Sequence, residues 1–560
     1  MLTPRSGGSP ARYALNAAVL SAFAIAAGSA FADNDHRGIS QSGEQKNMRR
    51  VGHVDLQGRP SYQPNVIVYP DGRTIAFAGT HGGSKPNPLK GGAVEQNGTM
   101  IIDVTNPERP VEKFHIPVPV AGGQAQMARM CLGSDLPGGI SGHVYLLRNI
   151  QGSTASGYEI WDVTNVTSPQ PIAALRGIRS THKDWWECKS GIAYMPGSKN
   201  TAPLWRTSQS MLVYDWSNPP TPAAAGSAIP IFPSYPLYIR TYGVVGAQPD
   251  TTRTAAPPNS LHGPISTFEH PQAGQRLARG AGPDDVIGNR LYLAWGVGDD
   301  GILQIVDRKK LLPSPHGTWD GQRPDTPTDA DLLAAQTGIL YMSPDQGGHT
   351  SMPVFGLTPK SYDKFIEFKT RDIVLLASEA TNDKCQEAPH WSFVVDVTVE
   401  NSKSVPPGTK IEENPWHGPM ILSTMSVDPR AGEKFPRGNY CDRGARFGTH
   451  SSEENFRNPF YGRLTFIAAF TGGIRAWDIR EPQAPVEVGF YVSVSNANTT
   501  QPDGYMTNNV EVDNRGFIYA TDRNRSGLDI LELRGDAKRI GLGTDNDRRD
   551  GRRDDDDDDD

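Results

Sequence analysis

Short apolar runs that end in an acid recur along the chain. They read Gly98-Thr-Met-Ile-Ile-Asp103, Gly157-Tyr-Glu-Ile-Trp-Asp162, Met211-Leu-Val-Tyr-Asp215, Ile302-Leu-Gln-Ile-Val-Asp307, Trp391-Ser-Phe-Val-Val-Asp396, Gly473-Ile-Arg-Ala-Trp-Asp478 and Gly527-Leu-Asp-Ile-Leu-Glu532. Several continue into a Pro-fixed turn, as in Val104-Thr-Asn-Pro-Glu-Arg-Pro110 and Ile479-Arg-Glu-Pro-Gln-Ala-Pro485, and then into a second apolar run. Strand, turn and strand make a β-hairpin, and the terminal Asp can accept hydrogen bonds from turn N–H groups. The repeated acid therefore reads as structural. Two further short strands precede each phrase, clearest in Thr465-Phe-Ile-Ala-Ala-Phe470 and Phe517-Ile-Tyr-Ala-Thr521. Four strands per unit and seven units predict an all-β fold, a seven-bladed β-propeller over residues 48–535.

The last unit runs out after three strands, at Leu533. Arg50-Val-Gly-His-Val-Asp-Leu56 has the pattern of an orphan outer strand and is expected to complete that blade, removing an open sheet edge. The spacing between successive acids (59, 53, 92, 89, 82 and 54 residues) is irregular because insertions such as residues 313–335 and 405–436 enlarge blades four to six. Insertions of this kind sit on loops, where function concentrates.

Composition agrees with this reading. The chain has 560 residues, with 59 Gly and 46 Pro, so turns are frequent and long helices few. Its formal net charge is −7, and residues 545–560 alone carry ten Asp against four Arg. The remainder is close to neutral, with no cationic excess to displace phosphate counterions, which argues against a nucleic-acid partner. Residues 536–560 are expected to form a disordered acidic tail whose Asp554–Asp560 run could collect Ca²⁺ only loosely. At the other end, Arg5 and Arg12 precede an Ala-rich apolar stretch and Ala30-Phe31-Ala32, the order of an export signal cleaved after Ala32. A linker, residues 33–47, follows. No later segment reaches the length that crosses a bilayer, so the mature chain is expected in the periplasm or outside the cell with no membrane span.

Strands such as Ile101-Ile102-Asp103-Val104, Leu212-Val213-Tyr214-Asp215 and Gln304-Ile305-Val306-Asp307, with the Asn-Pro-x-x-Pro continuation, resemble those of LVIVD-repeat proteins, exported bacterial β-propellers. The resemblance covers residues 48–535 and implies fold rather than activity. Trp161-Asp162 and Trp477-Asp478 also suggest WD repeats, but the Gly-His partner of each Trp-Asp is missing.

The candidate chemistry is topological. Four expected channel strands open with histidine: Thr181-His182, Leu261-His262, Gly348-His349 and Thr449-His450. Imidazoles gathered at one mouth of a channel suit a transition metal ion such as Zn, Cu or Fe. His182, His262, His349 and His450 are the expected ligands, with Glu454, four residues past His450, as a carboxylate ligand or catalytic base. Gln126, Asn508 and Asn509 occupy the equivalent places in blades two and seven. Propellers of the selenium-binding, methanethiol oxidase type are similar in placing His clusters at a channel, although their motifs do not occur here.

The four cysteines are expected to pair as Cys131 with Cys188 and Cys385 with Cys441; the alternative makes Cys188 a thiolate ligand beside His182. Gly296-Val-Gly-Asp-Asp-Gly301 fits the dinucleotide fingerprint in letters but leads into a strand, not a helix, so no nucleotide cofactor is expected. No Gly-x-Ser-x-Gly elbow occurs. The function expected is a ligand-binding or interaction scaffold for a protein, glycan or small molecule, with a His-lined metal site. The alternative is a metal-dependent periplasmic enzyme, redox or hydrolytic, using the same cluster.

Overall fold

A computed structural model of the protein describes residues 37–40, 43–152, 155–199, 209–232, 235–245, 260–280, 282–298, 301–362, 364, 369–400, 418–500 and 505–545. The expected export signal and the acidic run after residue 545 lie outside the described residues.

The apolar phrases form strands because both of their faces are covered. Along Ile302–Asp307, for instance, every residue is buried. Each phrase is the third strand of an antiparallel meander. The first sheet comprises Ser61–Val68, Thr74–Thr80, Gly98–Asp103 and Val111–Pro117. The next four meanders are centred on Gly157–Asp162, Ser210–Asp215, Ile302–Asp307 and Ser392–Asp396. A larger, ten-stranded sheet holds the strands around Ile474–Asp478 and Leu528–Leu533, joined by a single pairing of Phe470 with Thr507.

The first strand of each meander lies innermost. Ser61–Val68, Ala128–Leu132, Trp185–Trp186, Leu261–Ser266, Thr350–Leu357, Phe447–Ser452 and Thr507–Val512 touch in that order, and the last returns to the first. This is a β-propeller. Its core lies between successive sheets, as where Tyr292, Leu303 and Ile305 pack against Val374, Leu376 and Phe393.

Five of the seven turn acids act as the sequence predicts, while Glu532 accepts from Arg49 and Arg534. Asp103, Asp162, Asp215, Asp396 and Asp478 each accept from the backbone N–H two residues on, at 2.8–3.1 Å. Asp307 instead caps the short helix Arg308–Leu311 through Lys310 N–H. The Gly296–Gly301 segment joins Arg290–Trp295 to Ile302–Asp307, two adjacent strands, and not a strand to a helix. The N-terminal strand Met48–Val54 pairs with Leu528–Leu533 as expected.

Three stretches differ from expectation. Within residues 33–47, Arg37–Ser40 and Gly43–Lys46 are strands, the second extending the sheet beyond Val486–Val492. Met420–Met425, inside the stretch assigned to an insertion, is the outer strand beside Ser392–Asp396. Gly535–Leu542, assigned to the tail, is a helix because Ala537 packs with Phe460 and Leu464 in the core. Among the described residues no helix is long and apolar enough to cross a membrane.

Candidate metal centre

The inner strands lose regular pairing at one common level. The register shifts between Ser61 and Pro64, between Leu261 and Gly263, between Phe447 and Ser451, and between Thr507 and Val510. Such irregularities re-aim side chains. They fall on Tyr62, His262, His450 and the pair Asn508–Asn509, while His349 immediately precedes Thr350–Leu357 and His182 lies just ahead of Trp185–Trp186.

The four predicted histidines come together. Ring centroids are 4.1 Å apart for His182 and His262, 3.7 Å for His262 and His349, and 4.0 Å for His349 and His450. Tyr62 closes the circle, 5.4 Å from His182 and 5.8 Å from His450. His262, His349, His450 and Tyr62 are buried, whereas His182 lies half-buried at the rim.

Sequence reasoning missed several members. His81 stands 5.4 Å from Tyr62, with Nδ1 3.2 Å from the Gln126 amide nitrogen. It follows the second strand of its sheet rather than opening the first; its signal was the Thr80-His81 dipeptide, shared with Thr181-His182 and Thr449-His450. The carboxylate at the cluster is Glu379, just after the strand Arg371–Ala377, where no repeated pattern marks it. Its oxygens lie 3.7 Å from His349 Nε2 and 3.6 Å from His450 Nε2, and Arg446 donates to it at 2.9 Å. One ligand atom from each of His262, His349 and Glu379 falls within 4.8 Å of the other two.

Glu454 sits elsewhere. It lies beyond the far end of its strand, so the four residues from His450 carry it about 13 Å down the channel. There it is paired with Lys183 at 2.5 Å and with Arg129. Burial alone would raise its pKa, but the charges of Lys183 and Arg129 outweigh it and hold the carboxylate ionised. Cys188 is in a disulfide with Cys131, so the thiolate alternative does not apply, and Cys385 pairs with Cys441 as predicted.

Burial keeps the imidazoles neutral. Desolvation, with the nearby charges of Lys183 and Arg523, pushes His182 down to about 3, and desolvation first drives His81, His262, His349 and His450 well below the usual range. His450 Nδ1 lies 2.5 Å from the Asn508 carbonyl oxygen. A carbonyl can only accept, so Nδ1 carries the proton and Nε2 presents a bare lone pair to the Glu379 carboxylate. Two acceptors thus face each other. One ring nitrogen each of His182, His262 and His349 is also buried without a hydrogen-bond partner. Neutral imidazole lone pairs beside a carboxylate could hold an ion such as Zn, Cu or Fe, and the Asn508 carbonyl fixes the tautomer of His450.

No family model matches the sequence, and no curated protein matches it. Among solved structures, the Cps50 (Swd1) β-propeller domain of Myceliophteria thermophila is 9% identical, covering 86% of this chain and 98% of its own, with a TM-score of 0.39. Sqt1 from Chaetomium thermophilum is 10% identical, covering 87% and 99%, with a TM-score of 0.41. The WD40 repeats of RRP9 are 11% identical, covering 87% and 97%, with a TM-score of 0.40. The strand pairing described above, not these likenesses, carries the architecture.

Proposed function

We propose that the chain is an exported, seven-bladed β-propeller of the LVIVD-repeat type that binds ligands along its axis, with a transition-metal centre in the channel. The count of seven is supported by dividing the ten-stranded sheet at its single Phe470–Thr507 pairing, which leaves the four strands from Phe447–Ser452 to Val486–Val492, extended by Gly43–Lys46 and Arg37–Ser40, and a four-stranded unit completed by Met48–Val54. Two disulfides and an export-like N-terminus support an oxidising location, periplasmic or extracellular. Partners in this reading are a protein, a glycan or a small molecule.

The metal is held by His262, His349 and Glu379, with His450 and His182 beside them. The observation that carries this is the His450 lone pair facing the Glu379 carboxylate at 3.6 Å in a buried site. A divalent cation relieves the opposition directly, whereas a proton must sit either on Nε2 as a buried imidazolium, which desolvation disfavours, or on Glu379, where burial favours it but the ion pair with Arg446 is given up. His262, His349 and Glu379 are each under a tenth exposed, which favours retaining an ion over turning over a substrate at it.

Elemental mass spectrometry on the mature chain, purified without a histidine tag, is the test. About one transition-metal ion per chain is expected, lost in His349→Ala and reduced in Glu379→Gln. Sub-stoichiometric metal that both variants leave unchanged overturns the assignment.

A further inference from the structure

We propose that the Cys385–Cys441 disulfide is a redox latch on the metal centre, so that its reduction weakens metal binding. The inference rests on the metal reading above.

Glu379 lies on the loop that leads to Cys385, and this loop is laced to the segment that runs from Cys441 to His450. Ala380 N–H donates to the Thr449 carbonyl at 3.1 Å, Lys384 N–H donates to the Ala445 carbonyl at 3.0 Å, and Thr449 Oγ1 donates to the Ser378 carbonyl at 2.8 Å. Asp383 and Arg446 form an isolated antiparallel bridge. Arg446 also reaches back from this segment to Glu379 Oε1 at 2.9 Å and to the Ala380 carbonyl at 3.3 Å. The disulfide closes the distal end of the ladder, and His349 and His450 flank Glu379 at the proximal end. One short unit thus joins the crosslink to a carboxylate ligand and to the arginine that orients it.

Two features single out this crosslink. Lys384 and Cys385 are consecutive non-glycine residues in the left-handed region, with φ of 56° and 54°, a conformation that persists where the surroundings enforce it. Cutting the tether lets both residues return to negative φ, and the loop that presents Glu379 slackens. Both half-cystines are also only partly buried and line a cavity of about 170 Å³ with His390 and Trp391. In the other pair, Cys131 is fully buried.

The co-reactant is a dithiol reductant. Its thiolate attacks one sulfur of the disulfide, forming a mixed disulfide and releasing the other sulfur as a thiolate; its second thiol then resolves the mixed disulfide. Two electrons reduce the cystine, the reductant leaves as a disulfide, and its two protons end on Cys385 and Cys441. Loss of the Glu379–Arg446 geometry then lowers affinity at the His262–His349–Glu379 set.

The test compares zinc affinity, by competition with a chromophoric chelator, for wild type, Cys385→Ser/Cys441→Ser and Cys131→Ser/Cys188→Ser. The expected result is at least a tenfold weaker Kd for the first variant and an unchanged Kd for the second. Equal affinity in all three overturns the latch and leaves the metal site standing. Equal weakening in both variants also overturns it, since loss of general stability then explains the effect. A wild type that binds no zinc, copper or iron overturns both readings. Should the first variant fail to fold, folded wild type is treated with a water-soluble phosphine, desalted and mapped by alkylation. Cys385 and Cys441 should label before Cys131 and Cys188, with metal lost on labelling of the first pair and regained on reoxidation of unalkylated protein. Labelling of Cys385 and Cys441 without loss of metal overturns the latch.

Discussion

Glu511, near the end of the inner strand Thr507–Val512, lines with Glu454 and Arg129 a cavity of about 430 Å³. Burial, reinforced by the negative charge of Glu454, pushes it up to about 8; burial likewise pushes Asp184 and Glu453 up to about 7. The folded chain therefore keeps protons that the unfolded chain, with carboxyls near 4, has already released. Such groups contribute stability that is complete below the unfolded value and lost as pH rises through the folded one. His53, raised by its bonds to Asp529 and Asp55 against the desolvation that lowers it, acts in the same direction above about pH 6.5. The channel imidazoles, neutral when folded but still partly protonated in the unfolded chain near pH 6.5, oppose this trend at first and add no slope above about pH 7.5. Stability measured by urea unfolding should fall between about pH 7.5 and 8.5, by on the order of 1 kcal/mol per pH unit, and Glu511→Gln should flatten the profile. A flat or rising wild-type profile contradicts this account. The four channel histidines and the turn acids were legible in the sequence because each recurs at a similar place in a repeated unit. Glu379 was not, since it follows a second strand at a place that no other unit marks with an acid. Glu454 was misplaced because alternation along a strand fixes the side a residue faces but not how far down the channel it lies.

Among the elements, the hairpins were legible because an apolar run, an Asx-type turn acid and a Pro-rich turn agree on one local structure. The helix Gly535–Leu542 was not, because its signal is only the burial of Ala537 against Phe460 and Leu464, contacts that sequence spacing does not reveal. Met420–Met425 was hidden because Gly418-Pro419 ahead of it and Ser423-Thr424 within it read as turn residues of the insertion. The closing strand Met48–Val54 is tied to Leu528–Leu533 by Arg49 on Glu532 and by Arg50 and His53 on Asp529. It also passes very close to the turn of the first sheet. A Cβ built on Gly52 would lie 1.9 Å from the Pro107 carbonyl oxygen, a backbone atom that cannot step aside. Gly52→Val should therefore destabilise by about 1–3 kcal/mol, the range for overpacking a buried contact. Thermal unfolding measures it, and a melting temperature within a degree of wild type would show that the turn yields.

Over the whole molecule, the axis gathers residues that are distant in the chain: Tyr62, His182, His262, His349, Glu379 and His450 span most of the sequence. An ion held there ties several sheets together and binds the folded state alone, so zinc or copper at 100 times its Kd should add about 2.7 kcal/mol to the unfolding free energy. Differential scanning calorimetry with and without chelator reads this as a rise in Tm that His349→Ala abolishes. The global form was legible in the sequence because the count of repeats, the truncated last unit and the orphan first strand all require a closed circle.

That circle is shut by residues 48–54 meeting residues 528–533, an early strand meeting a late one. A ribosome delivers the first of these strands long before its partner exists. The nascent chain must therefore hold an unpaired edge while several sheets are assembled, and the final annulus forms only after synthesis of the C-terminal strand. Any nonsense or frameshift change upstream of Leu528 yields an open arc with that strand unmatched, a product suited to chaperone capture and proteolysis rather than partial activity.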